Sequence, residues 1–284
     1  MPDLLTLKDG RKLSYSDYGS PEHTAVLWCH GGPGNRLEPM TAASAARELG
    51  FRLIGIDRPG YGETTAVPGR FIGNWAADGL AVADHIGIDR FFAVGVSTGG
   101  AYALALAASS TRALGVIACC AVSDMRWSEG KAMMPGTVAI WNAKSREEAI
   151  QLAEDQFGPD GSKLTSATAE FAFPAADLAF LMNPAWAEGA AASTQVSFAQ
   201  GVAGYADDRI ADGRGWGSIN LDAIRCPVTV LHGEADPIVP VAHGHHTASI
   251  VPGARLELQP EQGHFSITGF ILPALEELQR RVGN

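Results

Sequence analysis

Residues 91–108 read Phe91-Phe92-Ala93-Val94-Gly95-Val96-Ser97-Thr98-Gly99-Gly100-Ala101-Tyr102-Ala103-Leu104-Ala105-Leu106-Ala107-Ala108, and no other stretch constrains the fold as much. An aromatic and β-branched run of strand length stops at small residues and gives way at once to a run of strong helix formers. Gly95 and Gly99 lack the Cβ atoms that would hold a strand and a helix apart, so the two elements can pass closely. Ser97, between them, is expected in a strained backbone conformation. Its hydroxyl then stands above the strand end, at the partly positive start of the helix.

Five more apolar runs have strand length: 25–29, 52–57, 114–120, 228–232 and 254–259. Helical patterns fall between them over 37–49, 73–86 and 240–251, and the chain ends in a helix over 265–282 that is expected to break or kink near Pro273. Residues 4–8 and 12–19 form a hairpin turned at Asp9-Gly10. Buried runs alternating with helices give an α/β fold, a mostly parallel, doubly wound sheet covered on both faces. The rhythm stops after Val122 and resumes near Val228, too long a gap for a loop without structure. We therefore divide the chain into a first core part (1–122), a mainly helical cap insertion (123–222) and a second core part (223–284). The glycine cluster from Gly201 to Gly217 is expected to hold the return from the cap.

A formal charge of −10 over 284 residues argues against nucleic acid and anionic membranes as partners. No basic start followed by an apolar run marks a signal peptide, and no apolar stretch is long enough to cross a bilayer. None of the four cysteines is spaced as Cys-x-x-Cys, so neither a disulfide framework nor a metal site is expected, and the cytoplasm fits. The sequence sets no oligomeric state.

A serine hydroxyl is a poor nucleophile unless a base takes its proton, and a histidine oriented by a carboxylate is the usual solution. Both fall in loops after later strands: Asp236 in Leu231-His232-Gly233-Glu234-Ala235-Asp236-Pro237, and His264 in Glu261-Gln262-Gly263-His264-Phe265. The carboxyl ends of parallel strands share one edge, so Ser97, Asp236 and His264 should meet there. Asp124, after the 114–120 run, is the rival for the acid.

Four motifs in order, His30-Gly31-Gly32-Pro33-Gly34, Asp57-Arg58-Pro59-Gly60-Tyr61-Gly62, Gly95-Val96-Ser97-Thr98-Gly99 and the Asp236/His264 pair, resemble those of the α/β-hydrolase family. The order Ser, Asp, His along the chain agrees. The resemblance implies a serine hydrolase acting on carboxylic esters, small molecules of small to medium size, without a cofactor or metal. It also places half of an oxyanion hole in the 30–34 loop. Two backbone N–H donors are needed near the nucleophile, and we assign them to Gly32 and Thr98.

The His-Gly-Gly-Pro-Gly loop is similar to that of proline iminopeptidases, which makes a peptidase the second reading. Thr98 stands where that family has a tryptophan, and Glu129, Glu147 and Glu170 are the cap carboxylates available to hold a substrate amine. A slow-turnover ligand receptor on the same scaffold is the third. Trp127, Met133, Met134 and Trp141 are expected to line an apolar substrate pocket, while Trp186 and the other cap aromatics form the cap's own core. His30 and His232 are read as structural, Asp57 and Arg58 as shaping a turn, and His243, His245 and His246 as a solvated helix start.

Overall fold

The computed structural model describes residues 2–168 and 171–283, with the backbone alone for Thr168 and 185–191; Glu170 and the Trp186 side chain thus lie outside what is described. Eight strands form one sheet: β1 (Asp3–Thr6), β2 (Lys12–Tyr18), β3 (Thr24–Cys29), β4 (Phe51–Ile56), β5 (Phe91–Val96), β6 (Ala113–Cys119), β7 (Val228–Gly233) and β8 (Arg255–Gln259). Their order is β1-β2-β4-β3-β5-β6-β7-β8. The first two pairings are antiparallel and every pairing from β4 onward is parallel. Six parallel strands therefore finish on one edge.

Alternation along the central strands explains the two layers. Leu27, Cys29, Ile54, Ile56, Phe91 and Ala93 face α2 (Trp75–His85) and α3 (Gly99–Ser109). Val26, Trp28, Leu53, Phe92 and Val94 face α1 (Ala43–Glu48) and the C-terminal helix through Ala46, Ile271, Leu275 and Leu278. Each fully buried aliphatic side chain of this kind contributes roughly 1.5–3 kcal/mol. Helix α3 is apolar all round because it is buried all round: every residue from Gly99 to Ala107 is inaccessible.

Among the described residues between β6 and β7 lie seven α-helices: α4 (Ser128–Ala132), α5 (Pro135–Trp141), α6 (Arg146–Phe157), α7 (Leu164–Thr168), α8 (Ala175–Leu181), α9 (Pro184–Ser197) and α10 (Ala203–Gly213). They carry a core of their own around Ile140, Phe157, Phe198 and Tyr205, into which Tyr61 of the main domain inserts. The glycine-rich 201–217 stretch holds the helix α10 and then the return: Trp216, just past α10, packs in the main-domain core. Helix α10 lies against the main domain, and a Cβ on Gly204 would lie 2.5 Å from Gly60 O. The last helix is broken near Pro273, between Phe270 and Ile271. A 3₁₀ turn (Ser266–Phe270) precedes α12 (Ile271–Gly283), and Pro273 sits in the first turn of α12, where a missing N–H costs no helical bond. Helix α11 (Ala242–Ile250) packs beside β7 and β8.

Helix α10 is fastened to the main domain by charge. The fully buried Asp208 accepts from Arg58 (2.8 Å), Arg70 (2.6 Å), Tyr61 (2.8 Å) and Tyr102 (3.0 Å). Burial alone would raise its pKa, but Arg58 and Arg70 outweigh that and hold it far below the usual carboxylate range. Asp207 pairs with Arg146 of α6 at 2.7 Å, and Arg209 with Asp212 one turn along α10 at 2.6 Å.

Two stability outcomes follow. Asp208→Ala leaves Arg58 and Arg70 buried without their counter-charge, so urea unfolding should register a loss of about 3–5 kcal/mol. Gly99→Ala puts a Cβ 2.0 Å from Cys29 O and 2.6 Å from His30 O, both backbone atoms that cannot swing aside. A loss of about 3 kcal/mol is expected by the same measurement.

Candidate active site

Ser97 follows the last residue of β5 with φ 53°, a left-handed conformation for a residue that bears a side chain. Its amide donates to Cys119 O (2.9 Å), and its carbonyl accepts from Gly100 N (3.1 Å) and Val122 N (3.3 Å). The turn is therefore pinned to both β6 and α3. Gly95 and Gly99 are glycines because the elements touch: a Cβ on Gly95 would lie 2.2 Å from Gly99 O. No hydrogen bond among the described residues engages the Ser97 hydroxyl.

His264 and Asp236 meet across two loops, with Nδ1 and Oδ2 2.7 Å apart. The other Asp236 oxygen accepts from Ile238 N and Val239 N, each at 2.8 Å. The acid is thus held by its own loop and offers one oxygen to the ring. The two loops are themselves joined by Ala235 N donating to Gln262 O (3.0 Å). Burial alone would lower the His264 pKa, but the attraction of Asp236 reverses this and raises it well above the usual value. The main chain of His264 is also engaged: its N–H donates to Asp177 Oδ2 (3.0 Å) and its carbonyl accepts from Cys120 Sγ (3.6 Å). The Cys120 thiol also lies beside the pair, within 4.8 Å of a ring nitrogen of His264 and of the Asp236 carboxylate. Ser97, Asp236 and His264 are 9%, 7% and 8% exposed, so all three are buried.

The rival acid is placed elsewhere. Asp124 accepts from Arg126 Nε (2.9 Å), Arg126 N (3.0 Å) and Trp216 N (3.1 Å) and makes no contact with His264. Burial would raise its pKa, yet the Arg126 bonds prevail and lower it.

On the other side of Ser97, the start of the 30–34 loop is held through His30 and Gly31. Gly31 N donates to Glu38 Oε2 (2.8 Å), whose other oxygen accepts from Trp28 Nε1 (2.8 Å). Gly31 O accepts from Arg58 Nη2 (2.8 Å) and from His30 Nδ1 (2.7 Å). His30 Nε2 in turn accepts from Arg58 N (3.1 Å), which fixes a neutral ring, and burial keeps its pKa well below the usual value. The N–H groups of Gly32 and Thr98 donate to no acceptor among the described residues. These two residues touch: a Cβ on Gly32 would lie 2.9 Å from Thr98 Oγ1 and 3.1 Å from Arg209 Nη2. Arg209, from α10, donates to that same Thr98 hydroxyl.

The four expected pocket residues separate. Met134 and Trp141 join Val122, Met125 and Val239 in a buried apolar cluster beside the Ser97 and Asp236 turns. Trp127 instead stacks on His246 with centroids 4.1 Å apart, and Met133 is 44% exposed. Helix α4 ends at Ala132, so Met133 and Met134 leave it in different directions, which spacing alone does not reveal. Of the helix-start histidines only His245 is exposed. His243 is buried between Ser123 N (3.2 Å) and Gly130 O (3.2 Å), and burial lowers its pKa to about 4. His246 bonds Ser123 Oγ at 2.7 Å. His232 is structural as expected, hydrogen-bonded to Val239 O at 2.8 Å. Asp57 holds its turn through Ser14 (2.6 Å) and Arg36 (2.7 Å), whereas Arg58 reaches past its own turn to the His30 and Gly31 carbonyls. Glu129 and Glu147 are exposed and do not enter the site.

Sequence reasoning missed Asp177, Arg209 and Glu38. Each is a charged residue in a helical or turn segment, and what marks it is burial, which no local pattern encodes.

With this geometry in hand, comparison with known proteins is informative. The family model for the alpha/beta hydrolase fold matches residues 24–268. The chain is 27% identical over 278 residues to a non-heme haloperoxidase of Rhodococcus erythropolis, covering 92% of each chain. It is 26% identical over 271 residues to a bifunctional esterase/perhydrolase of Acinetobacter calcoaceticus, again covering 92% of each. Among solved structures, a thermophilic esterase from Thermogutta terrifontis superimposes with a TM-score of 0.72 at 22% identity over the whole of both chains. This chain belongs to the alpha/beta hydrolase fold family.

Proposed function

We propose that the protein is a serine hydrolase of carboxylic esters, with Ser97 as nucleophile, His264 as general base and acid, and Asp236 as the carboxylate that orients it. The observation that carries this reading is the Asp236–His264 pair: Nδ1 rests on Asp236 Oδ2 at 2.7 Å, and the backbone of His264 is held by Asp177 and Cys120. A ring so held can take a proton only at Nε2. Ser97 Oγ attacks the ester carbonyl while Nε2 takes its proton, and Asp236 stabilises the imidazolium. The tetrahedral oxyanion accepts from Gly32 N–H and Thr98 N–H, neither of which has an acceptor among the described residues. The alcohol leaves with the proton from Nε2. Water, deprotonated by the same nitrogen, then releases the acid from Ser97. The absence of a Ser97–His264 hydrogen bond in the unliganded protein fits contacts that tighten only once substrate is bound. The cluster of Val122, Met125, Met134, Trp141 and Val239 supports small to medium hydrophobic esters as substrates. Neither Glu129 nor Glu147 is placed to hold an amine, which weakens the aminopeptidase reading.

The names of two relatives favour a second outcome at the same site. Hydrogen peroxide in place of water would attack the acyl-serine and release a peracid instead of an acid. Supplying peroxide and bromide with an ester and assaying bromination of an acceptor measures this branch, because the peracid oxidises bromide to hypobromite.

The main reading is tested with p-nitrophenyl esters of graded acyl length. Ser97→Ala should lower kcat by about 10⁶, as loss of the nucleophile does in a well-studied serine hydrolase; retention of most of the rate rejects the assignment. A base with a raised pKa is neutral only above that pKa, so kcat/KM should climb with pH through a midpoint above 6.5, the usual histidine value. Asp236→Asn should lower kcat by about 10⁴ and shift the midpoint to lower pH.

A further inference from the structure

Asp177 in the cap helix α8 is fully buried, and its carboxylate is held by four donors from one short segment. Oδ2 accepts from His264 N (3.0 Å), while Oδ1 accepts from Phe265 N (3.2 Å), Ser266 N (2.8 Å) and Ser266 Oγ (2.8 Å). Ser266 Oγ in turn accepts from Gly263 N at 3.0 Å. Gly263 is a glycine because the carboxylate lies against it: a Cβ there would be 2.2 Å from Asp177 Oδ2. A buried carboxylate without a cation is costly unless its lone pairs are met, and here successive amides meet them.

His264 has three anchors. Two come from the main domain: Asp236 on Nδ1 and Cys120 on the carbonyl. The third, on the amide, comes from the cap. The Nδ1 bond alone leaves the ring free to pivot about Asp236, and any pivot swings Nε2, at the far side of the ring. Fixing the amide as well fixes Cα, and with it the point from which the side chain reaches.

We propose that Asp177 is a positioning residue for the base, through which the cap sets where His264 Nε2 stands relative to Ser97. This rests on the reading of Ser97 and His264 given above. The cap therefore contributes to the proton transfer as well as to the substrate pocket. A displacement of about 1 Å at such a base costs on the order of 10² in rate.

The test compares kcat and KM of Asp177→Ala, the near-isosteric Asp177→Asn and Gly263→Ala on p-nitrophenyl butyrate, with thermal unfolding in parallel. Gly263 has a backbone that alanine adopts, so its variant displaces the carboxylate by contact while leaving Asp177 in the chain. All three should lower kcat by about 10- to 100-fold with KM within threefold, in protein that still unfolds cooperatively. Phosphonylation of Ser97 by a fluorophosphonate should slow by the same factor. The double variant Gly263→Ala/Asp177→Ala should be no worse than Asp177→Ala alone, because both act on one carboxylate. A wild-type kcat in folded Asp177→Asn and Gly263→Ala protein, or a loss confined to melting temperature or KM, overturns the proposal. Ser97→Ala separates the two readings: an active Ser97→Ala rejects the serine hydrolase itself. An inactive one beside a fully active Asp177→Asn rejects only the role of Asp177.

Discussion

The close approach of α3 to β3 is the constraint on which the site depends. Gly99 has no room for a side chain because the carbonyls of Cys29 and His30 lie directly over it. That contact brings the first turn of α3 to the end of β3, so the Ser97 turn and the 30–34 loop occupy one place. It also sets Gly32 against Thr98, where a Cβ on Gly32 would lie 2.9 Å from the Thr98 hydroxyl oxygen. The left-handed Ser97 is the local cost of the same geometry, of order 1–3 kcal/mol, offset by bonds to Cys119, Gly100 and Val122.

The cap is joined to the main domain by two buried carboxylates that work differently. Asp208 is an ionic anchor, surrounded by Arg58, Arg70 and two tyrosine hydroxyls. Asp177 is met by amides and a hydroxyl. The first fastens α10 over the 30–34 loop and the second fastens α8 over the His264 loop. Both loops that flank Ser97 are therefore braced from the cap as well as from the sheet.

The fold was legible because its signals are local. Apolar runs of strand length mark the sheet, glycine at 95 and 99 marks the turn, and the order Ser97, Asp236, His264 follows from where strands end. Asp236 could be preferred to Asp124 on pattern, but only the coordinates show Arg126 and Trp216 occupying the latter. The cap was less legible. Its helices are alanine-rich, and periodicity does not say which of Trp127, Met133, Met134 and Trp141 turns inward. Trp127 found a histidine to stack on, and Met133 found water. Asp177, Asp208 and Arg209 look from sequence like an ordinary polar face, since their partners lie far away in the chain.

The Arg58 guanidinium bears on the carbonyl of Gly31, and that carbonyl belongs to the same amide group as the Gly32 N–H. A cation pulling electron density toward the oxygen of an amide makes its N–H the more acidic donor, and hydrogen bonds in series reinforce each other in a low-dielectric interior. Asp208 tempers that cation from the opposite side. The donor strength available above Ser97 is thus a property of an inductive chain running from a helix of the insertion, through a guanidinium, into one peptide plane.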